Sequence, residues 1–337
     1  MAARAFVACG LADRMLLLLG APRSGTTWVG KVFDSHPDVL YRHEPDTVVR
    51  GGALPKVMAV REIPNWTAEA RAYLLRLAAL SPLRASGHLP LFAKSYRGAA
   101  AQRTHSGAIY LLRLLSALPR VGTRLQSLPV PDLAARPPRL VVIKSVISCG
   151  CAGLYAAALP EARIIFLVRP PFGQVASMLH GTKLGKVNGV RAVVGLGDWP
   201  VAARYGLSET DLARLPLVER LAWMWVLQNE AALTGLADRP GVRVMPYRAL
   251  RDDPAGASRA LFDFAGLDWS PRTEEFVARS TRAGLYEGYF GVYRNTTAPE
   301  KKWRTLLSAA DRRRIVAIVR QSTLTDFLDP EADAAAE

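Results

Sequence analysis

A chain of 337 residues, half of them hydrophobic, can bury a large core as one α/β domain or as one domain with an insertion. The net charge is +15, since 44 basic residues (8 lysines and 36 arginines) outnumber 29 acidic ones. The basic residues are scattered along the chain, which disfavours a nucleic-acid interface and favours a basic face for an anionic substrate. The sequence contains no run of about 18 apolar residues, the length needed to span a membrane. Three cysteines (Cys9, Cys149 and Cys151) cannot form a disulfide framework, and a C-G-C motif without further His or Cys clusters is a poor metal site. We therefore expect a reduced, cytoplasmic protein without metal.

Five segments are predicted as strands: Leu16–Gly20, Val39–Tyr41, Leu140–Val146, Arg163–Val168 and Val242–Met245. The continuous Val/Ile/Leu runs of the third and fourth are typical of buried strands in parallel sheets. Segments with helical periodicity alternate with these strands: Ser24–Asp34, Ala70–Ala79 with Thr67 as N-cap, Phe172–His180, Leu217–Thr234, and Ser308–Phe327 begun by a Ser308/Asp311 capping pair. The alternation predicts a three-layer α/β/α fold, similar to that of P-loop proteins, around a central parallel sheet.

The rest of the sequence fits a single domain over residues 1–337. Residues 47–138 have a mostly helical pattern that prolines interrupt, so we expect a helical insertion there. Residues 182–197 are rich in glycine, which predicts an irregular, mobile loop, and the acidic tail 330–337 is expected to be disordered. No motif indicates the role of the insertion or of residues 182–216.

A phosphate-binding loop follows the first strand, in the segment LLLLGAPRSGTTW (Leu16–Trp28). Two glycines keep the spacing of a Walker A motif, but Thr26 stands where that motif has the lysine that reaches the β- and γ-phosphates. A cation is present instead at Arg23, and the backbone N–H groups of Ser24–Thr27 at a helix N-terminus favour an anion. The pattern predicts a ligand that resembles a nucleotide 5′-diphosphate.

Polar residues also stand at the carboxyl ends of three other predicted strands, where open parallel sheets bind ligands. Glu44 follows the second strand, Lys144 lies within the third and Arg169 ends the fourth. Ser177 comes eight residues after Arg169, about two helical turns, so its hydroxyl can face the same anion. Because an unpaired lysine in an apolar strand is costly, Lys144 requires either a ligand anion or a salt bridge to Glu44 or Asp46.

The loop and the following HPDVLYRHEPD resemble the sulfotransferases that use 3′-phosphoadenosine-5′-phosphosulfate (PAPS), in particular the carbohydrate 6-O-sulfotransferases. The resemblance implies that the 5′-phosphosulfate is bound by Arg23, Ser24, Gly25, Thr26 and Thr27. The segment RIIFLVRPPFGQVAS resembles the family motif for the 3′-phosphate, which implies that Arg169 and Ser177 bind that group. Trp28 is expected either near the adenylate or in the core.

The same resemblance assigns catalytic roles to two residues. Glu44 matches the glutamate of the family's H-E-P motif, the general base that takes the proton of the acceptor hydroxyl. Lys144, together with Arg23, is implied to stabilise charge on the transferring sulfonate. His43 is the alternative base, because cytosolic small-molecule sulfotransferases use a histidine. Adjacent strand residues point to opposite faces, so we expect only one of His43 and Glu44 to reach the cleft.

Two segments late in the chain resemble the family more loosely. VMPYRALRDDP resembles a strand end that places Tyr247 near the cofactor. YRNTTAPEKKWR resembles the segment that closes over the 3′-phosphate, which implies cofactor binding by Arg294 and Lys302 and a packing role for Trp303.

The predicted function is transfer of the sulfonate of PAPS to an acceptor hydroxyl, on a sugar or a glycolipid, with PAP as product and no metal. The lack of a membrane anchor favours a bacterial relative of the animal carbohydrate enzymes. Two alternatives stay open from the sequence: a P-loop kinase or NTPase-like phosphotransferase, and a noncatalytic protein that binds nucleotides or nucleic acid. The acceptor and the oligomeric state are not indicated.

Overall fold

The computed structural model of the chain describes residues 10–49, 54–118, 122–282, 291–292 and 303–328. Its centre is a parallel sheet of five strands: β1 (Met15–Gly20), β2 (Val39–His43), β3 (Leu140–Ser145), β4 (Arg163–Val168) and β5 (Val242–Pro246). The strand order is β2-β3-β1-β4-β5, and every neighbouring pair is parallel. The predicted α/β fold with a central parallel sheet is confirmed.

The α-helices in chain order are α1 (Thr26–Ser35), α2 (Thr67–Ala79), α3 (Leu83–Ser86), α4 (Ala99–Leu115), α5 (Gly122–Leu125), α6 (Ala152–Ala158), α7 (Pro171–Lys183), α8 (Gly189–Ala192), α9 (Glu209–Arg214), α10 (Leu217–Leu236), α11 (Tyr247–Asp252), α12 (Pro254–Ala265), α13 (Pro271–Thr281) and α14 (Ala309–Val319). Short 3₁₀ helices lie at Ala12–Arg14, Pro45–Thr47, Val60–Trp66, Cys149–Cys151, Ala202–Tyr205 and Thr325–Phe327.

Side chains that alternate along β1 enter two separate apolar cores, one on each face of the sheet. Leu16 and Leu18 pack with apolar residues of α1, α12 and α13. Leu17 and Leu19 pack on the other face with residues of α2, α6, α7, α10 and α14. Because both faces are covered by helices, every residue of β1 is buried, which is why the strand reads as a continuous apolar run.

A buried cluster of charges joins α1 to the segment between β2 and β3. Lys31 Nζ donates to Asp34 Oδ2 at 2.6 Å and to the backbone carbonyls of His88 and Pro90. Lys94 Nζ reaches Asp34 Oδ1 at 2.8 Å. The two ammonium groups hold the pKa of the Asp34 carboxyl below its ordinary value against the opposing effect of burial. The helices predicted for residues 47–138 are present as α2, α3, α4 and α5.

Several boundaries differ from the sequence predictions. The phosphate-loop helix begins at Thr26 and not at Ser24, and β2 extends to His43. Thr67 is the first helical residue rather than the N-cap, since a 3₁₀ helix runs directly into α2. The predicted Ser308/Asp311 capping pair is present.

Two further segments differ from their predicted secondary structure. The predicted irregular loop at 182–197 contains α8, and its Val193 and Leu196 are buried in the core. The helix predicted to run to Phe327 ends at Val319. The backbone N–H and the hydroxyl of Thr323, in the residues that follow, both donate to Glu230 Oε1 at 2.9 Å and so take no part in helical hydrogen bonds.

Within the described residues, no helix is both long enough and apolar enough to cross a bilayer. Cys149 and Cys151 are free and buried, and burial raises the pKa of each thiol to about 12. Cys9 and the acidic tail 330–337 lie outside the described residues.

Candidate active site

A cavity of about 540 Å³ lies at the carboxyl edge of the sheet. Each of the five strands delivers at least one of its lining residues from the strand end or from the turn that follows: Arg23 after β1, Glu44 after β2, Lys144 in β3, Arg169 after β4 and Tyr247 after β5. The strands are parallel and in register, so their carboxyl ends meet at one edge. The residues that the sequence placed at strand ends are therefore brought together.

The loop after β1 has the backbone of an anion-binding turn. Arg23 has φ 72° and Gly25 has φ 100°, both in the left-handed region, and Gly25 caps the N-terminus of α1. A Cβ at Gly25 would lie 2.7 Å from the Tyr247 ring, so glycine is needed for packing as well as for backbone conformation. Gly25, Thr26, Thr27 and the adjoining Trp28 line the cavity.

Ser24 supplies a buried hydroxyl to this turn. Its side chain is fully buried, and its Oγ has no hydrogen-bond partner among the residues that the structure describes. A buried hydroxyl without a partner is destabilising. Ser24 does not line the cavity, unlike the residues on either side of it, so its contact with the 5′-phosphosulfate stays a prediction.

Arg23, Arg169 and Ser177 form one connected group. Arg23 Nε donates to Ser177 Oγ at 3.0 Å, and Arg169 Nη1 donates to the Arg23 carbonyl at 3.1 Å. The Arg169 guanidinium lies 5.0 Å from the centre of the Tyr247 ring, while the indole of Trp225 donates to the Arg169 carbonyl at 2.8 Å. The loop residue and the two residues of the second motif thus lie side by side, as the two-turn spacing predicts for Arg169 and Ser177.

Glu44 and Lys144 form an ion pair at the floor of the cavity. Lys144 is 1% exposed and its Nζ donates to Glu44 Oε1. Burial lowers the pKa of Lys144, and the Glu44 carboxylate acts against that shift. Glu44 Oε2 lies 3.9 Å from Arg84 Nη2, beyond hydrogen-bond distance, so one carboxylate oxygen is left to accept a proton. The salt-bridge alternative stated for Lys144 is present in the structure, inside the cavity.

His43 also lines the cavity, contrary to the expectation that only one of the two neighbours would reach it. The strand ends at His43, and Glu44 adopts a left-handed conformation (φ 47°, ψ 50°), so the alternation of a strand no longer applies. The His43 ring bonds to the Tyr41 hydroxyl through Nδ1 at 2.8 Å and stacks on His88 with ring centres 3.9 Å apart. Burial, with help from Lys144, lowers the pKa of His43 well below its ordinary value.

Trp28 lies both at the cavity and against the core, while its contact with an adenylate stays a prediction. It lines the cavity, packs against the apolar core around α1, and donates from its indole to Ser280 Oγ of α13 at 2.9 Å. Trp303 packs as predicted: it is buried and stacks on Phe172. Arg294 and Lys302 lie outside the described residues.

The match to known families decides which of the three functional hypotheses holds. The sequence profile described as "Sulfotransferase family" matches residues 16–271, more than half of the chain. The chain belongs to the sulfotransferase family. As a sulfotransferase it is an enzyme, so neither the kinase-like nor the noncatalytic alternative is retained.

Curated relatives are sulfotransferases of carbohydrates. This sulfotransferase is 29% identical to carbohydrate sulfotransferase 5 of Mus musculus over 336 residues, which cover 91% of this chain and 78% of the relative. It is 28% identical to carbohydrate sulfotransferase 6 of Homo sapiens over 325 residues, 89% of this chain and 77% of the relative. Among solved structures, a sulfotransferase domain from the curacin biosynthetic pathway matches with a TM-score of 0.45 and 16% identity, over 91% of this chain and 96% of that one.

The sequence did not point to the side of the cavity that the segment between β2 and β3 builds. Leu83, Arg84, His88, Arg113 and Gln126 line the cavity of this sulfotransferase from that segment. Burial lowers the pKa of His88 to about 3, with Lys31 and Lys144 contributing. A signal was present in the sequence, since no acidic residue occurs between positions 70 and 131.

Proposed function

We propose that this sulfotransferase moves the sulfonate of PAPS to a hydroxyl of a carbohydrate acceptor by in-line transfer, with Glu44 as the general base and without a metal. The observation that carries the proposal is that the Glu44–Lys144 pair lines the same cavity as Arg23 and Arg169. Ser177 does not line that cavity and is joined to it through its hydrogen bond from Arg23. The similarity to two carbohydrate sulfotransferases supports a carbohydrate as the acceptor.

The residues of the cavity fit the donor. PAPS carries phosphate groups at both ends of its ribose, and the cavity offers Arg23, Lys144 and Arg169 with Glu44 as its one acidic lining residue within the described part of the chain. The left-handed turn at Arg23 and Gly25 and the start of α1 favour phosphate oxygens at the loop. We assign the 5′-phosphosulfate to residues 23–27, and the 3′-phosphate to Arg169 and Ser177. Tyr247 and Trp28 flank this end of the cavity.

Two basic residues that the structure does not describe complete the proposed donor site. Arg294 and Lys302 are proposed to contact the 3′-phosphate, as the resemblance of their segment implies. The assignment has a test of its own, because loss of either side chain is expected to weaken PAP binding more than AMP binding.

Bound PAPS supplies an activated sulfonate: its S–O bond to the 5′-phosphate breaks as a new S–O bond to the acceptor forms, and PAP leaves. Glu44 takes the acceptor proton on Oε2, the oxygen not engaged by Lys144. Lys144 and Arg23 are fixed cations that stabilise negative charge on the transferring group and on the bridging oxygen. Within the described residues, no group of three or more His, Cys, Asp or Glu could hold a metal ion.

His43 is less suited to the role of base. Its Nδ1 is engaged by the Tyr41 hydroxyl and its ring face is covered by His88, so only Nε2 is left for a substrate. The same burial that lowers its pKa makes its imidazolium form unfavourable, which weakens it as a proton acceptor. The Glu44 side chain is 16% exposed and lies beside the Lys144 cation.

The experiment is a transfer assay with radiolabelled PAPS and a panel of sugars, oligosaccharides and glycolipids, run with and without EDTA. We expect label on an acceptor hydroxyl and an undiminished rate in EDTA. Calorimetry gives the matched binding test: PAP should bind more tightly than ADP, which lacks the 3′-phosphate. Equal affinity for PAP and ADP would contradict the donor assignment, and loss of turnover in EDTA with recovery in Mg²⁺ would contradict the metal-free mechanism.

A further inference from the structure

Helix α4 and the turn that follows it have an exposed apolar face that nothing in the described structure covers. Tyr110, Leu111, Leu114 and Leu118 recur at the three- and four-residue spacing of one helical face and are 55%, 57%, 71% and 53% exposed. The side of α4 that packs on the protein carries other residues, including the buried Ile109. These four exposed residues form the α4 face. Exposed large apolar residues clustered in this way indicate an interaction surface.

The segment that carries the α4 face is strongly basic. Residues 70–131 contain nine lysines and arginines and no aspartate or glutamate. Arg103, Arg113 and Arg124 are exposed along this segment and form no ion pair within the part of the chain that the structure describes. Three of the segment's other basic residues, Arg71, Lys94 and Arg97, are paired with acids from elsewhere in the chain. The exposed cations therefore add to the net charge of the surface around the α4 face.

The α4 face adjoins the mouth of the active-site cavity. Arg113 lines the cavity and is followed in sequence by Leu114 of the α4 face. Lys186 and Val187 also line the cavity, from the segment after α7, where Leu184 and Val190 are 50% and 49% exposed. The cavity is thus bordered by apolar and cationic side chains together.

We propose that the α4 face and its arginines bind the surface of an anionic phospholipid bilayer and so place the cavity mouth at the membrane. Helices that lie in a bilayer interface combine leucine and aromatic residues on one face with lysine and arginine beside it. The charge argues against a second copy of the chain, since self-association through this face would bring the same acid-free, arginine-rich segments together. A membrane-borne acceptor would then reach the site, a consequence that rests on the proposed function; the binding itself does not.

The test is sedimentation of the full chain, without PAPS or acceptor, with vesicles of phosphatidylglycerol or of phosphatidylcholine. We expect binding to phosphatidylglycerol and weak binding to phosphatidylcholine. Binding should be lost in about 0.5 M salt, where the Debye length is short and the attraction between charges is screened. Leu111→Ser/Leu114→Ser should lower the partition coefficient about tenfold or more, because each buried leucine side chain contributes roughly 1.5–3 kcal/mol. Arg103→Ser and Arg124→Ser should each lower it about fivefold, the equivalent of roughly 1 kcal/mol per charge at an anionic surface.

A matched control is Leu133→Ser, which removes an exposed leucine that lies between β2 and β3 but outside α4, and it should bind as the wild type does. Tyr110→Trp gives a second measurement, since its added fluorescence should be quenched by brominated lipid. Equal binding of Leu111→Ser/Leu114→Ser and the wild type to phosphatidylglycerol would overturn the proposal. A wild-type dimer in ultracentrifugation that becomes monomeric in this double variant would overturn it as well, because the face would then be a self-association interface.

Discussion

Replacing Glu44 by glutamine separates its structural contribution from its proposed chemical role. The amide oxygen of the substituted side chain can still accept the hydrogen bond from Lys144, so the loss is one of charge and not of packing. A hydrogen bond to a charged group contributes roughly 1.5–3 kcal/mol and a neutral one roughly 0.5–1.5. Breaking a buried ion pair outright costs about 3–5 kcal/mol. We therefore expect Glu44→Gln to lower the free energy of unfolding by about 1–3 kcal/mol and to leave the protein folded.

The effect on catalysis should be larger than this structural cost. General-base catalysis contributes roughly 10²–10⁴-fold to a rate, about 3–5.5 kcal/mol of activation free energy. Glu44→Gln should therefore lower kcat by that factor in the labelled-PAPS assay, while the Kd for PAP measured by calorimetry changes by less than about threefold. The binding measurement contains neither the acceptor nor the sulfonate, so it should depend little on the residue that deprotonates the acceptor.

His43→Asn is the matched comparison, because His43 lines the same cavity one residue earlier and is the base in the rival mechanism. It should retain kcat within about tenfold. A Glu44→Gln enzyme of near wild-type kcat beside an inactive, folded His43→Asn enzyme would refute the assignment and place the base at histidine.

Three further perturbations test the donor loop and the buried histidine. Arg169→Ala should weaken PAP binding about tenfold or more while changing ADP binding little, since a charge-assisted hydrogen bond contributes roughly 1.5–3 kcal/mol; equal losses for both nucleotides in calorimetry would contradict its assignment to the 3′-phosphate. Gly25→Ala should lower the thermal midpoint of unfolding, because φ is 100° and the new Cβ would lie 2.7 Å from the Tyr247 ring. Adding Tyr247→Ala should restore part of the loss. An unchanged midpoint in Gly25→Ala would contradict the tight packing of this turn. The pKa of His88 is lowered to about 3, so between about pH 6.5 and 3 the unfolded chain binds more protons than the native one. The free energy of unfolding should therefore fall as the pH falls through that window. For this residue the slope is at most about 1.4 kcal/mol per pH unit. His88→Asn should flatten that slope in urea titrations at several pH values, and an unaltered slope would contradict it.

The sheet and the anion loop could be predicted because their signals are local. β1 is buried on both faces, so Met15–Leu19 had to be a continuous apolar run, and the turn after it needed glycine at a position of positive φ. The same holds for Arg169 and Ser177, whose spacing of eight residues on a strand end and a helix is sufficient to bring them to the same side.

The remainder depended on contacts that no local pattern encodes. His88 and Arg113 reach the cavity from a segment that is not adjacent in sequence to any strand end. Glu44 lies in the left-handed region, which a non-glycine residue seldom adopts, so the strand alternation misjudged its neighbour His43. The terminal helix is cut short by a buried carboxylate of α10, Glu230, more than ninety positions away, which draws Thr323 out of the helical pattern.

The charge cluster of Lys31, Asp34 and Lys94 limits how residues 47–138 can be exchanged. Any graft that swaps this segment for that of another sulfotransferase removes Lys94 together with the His88 and Pro90 positions, and it leaves the buried ammonium of Lys31 with Asp34 alone among these partners. A buried charge stripped of partners in this way costs several kcal/mol, comparable to the whole stability of many domains. A chimera that exchanges this segment should therefore carry residues 88–94 of the original chain, or replace Lys31 and Asp34 with the new segment.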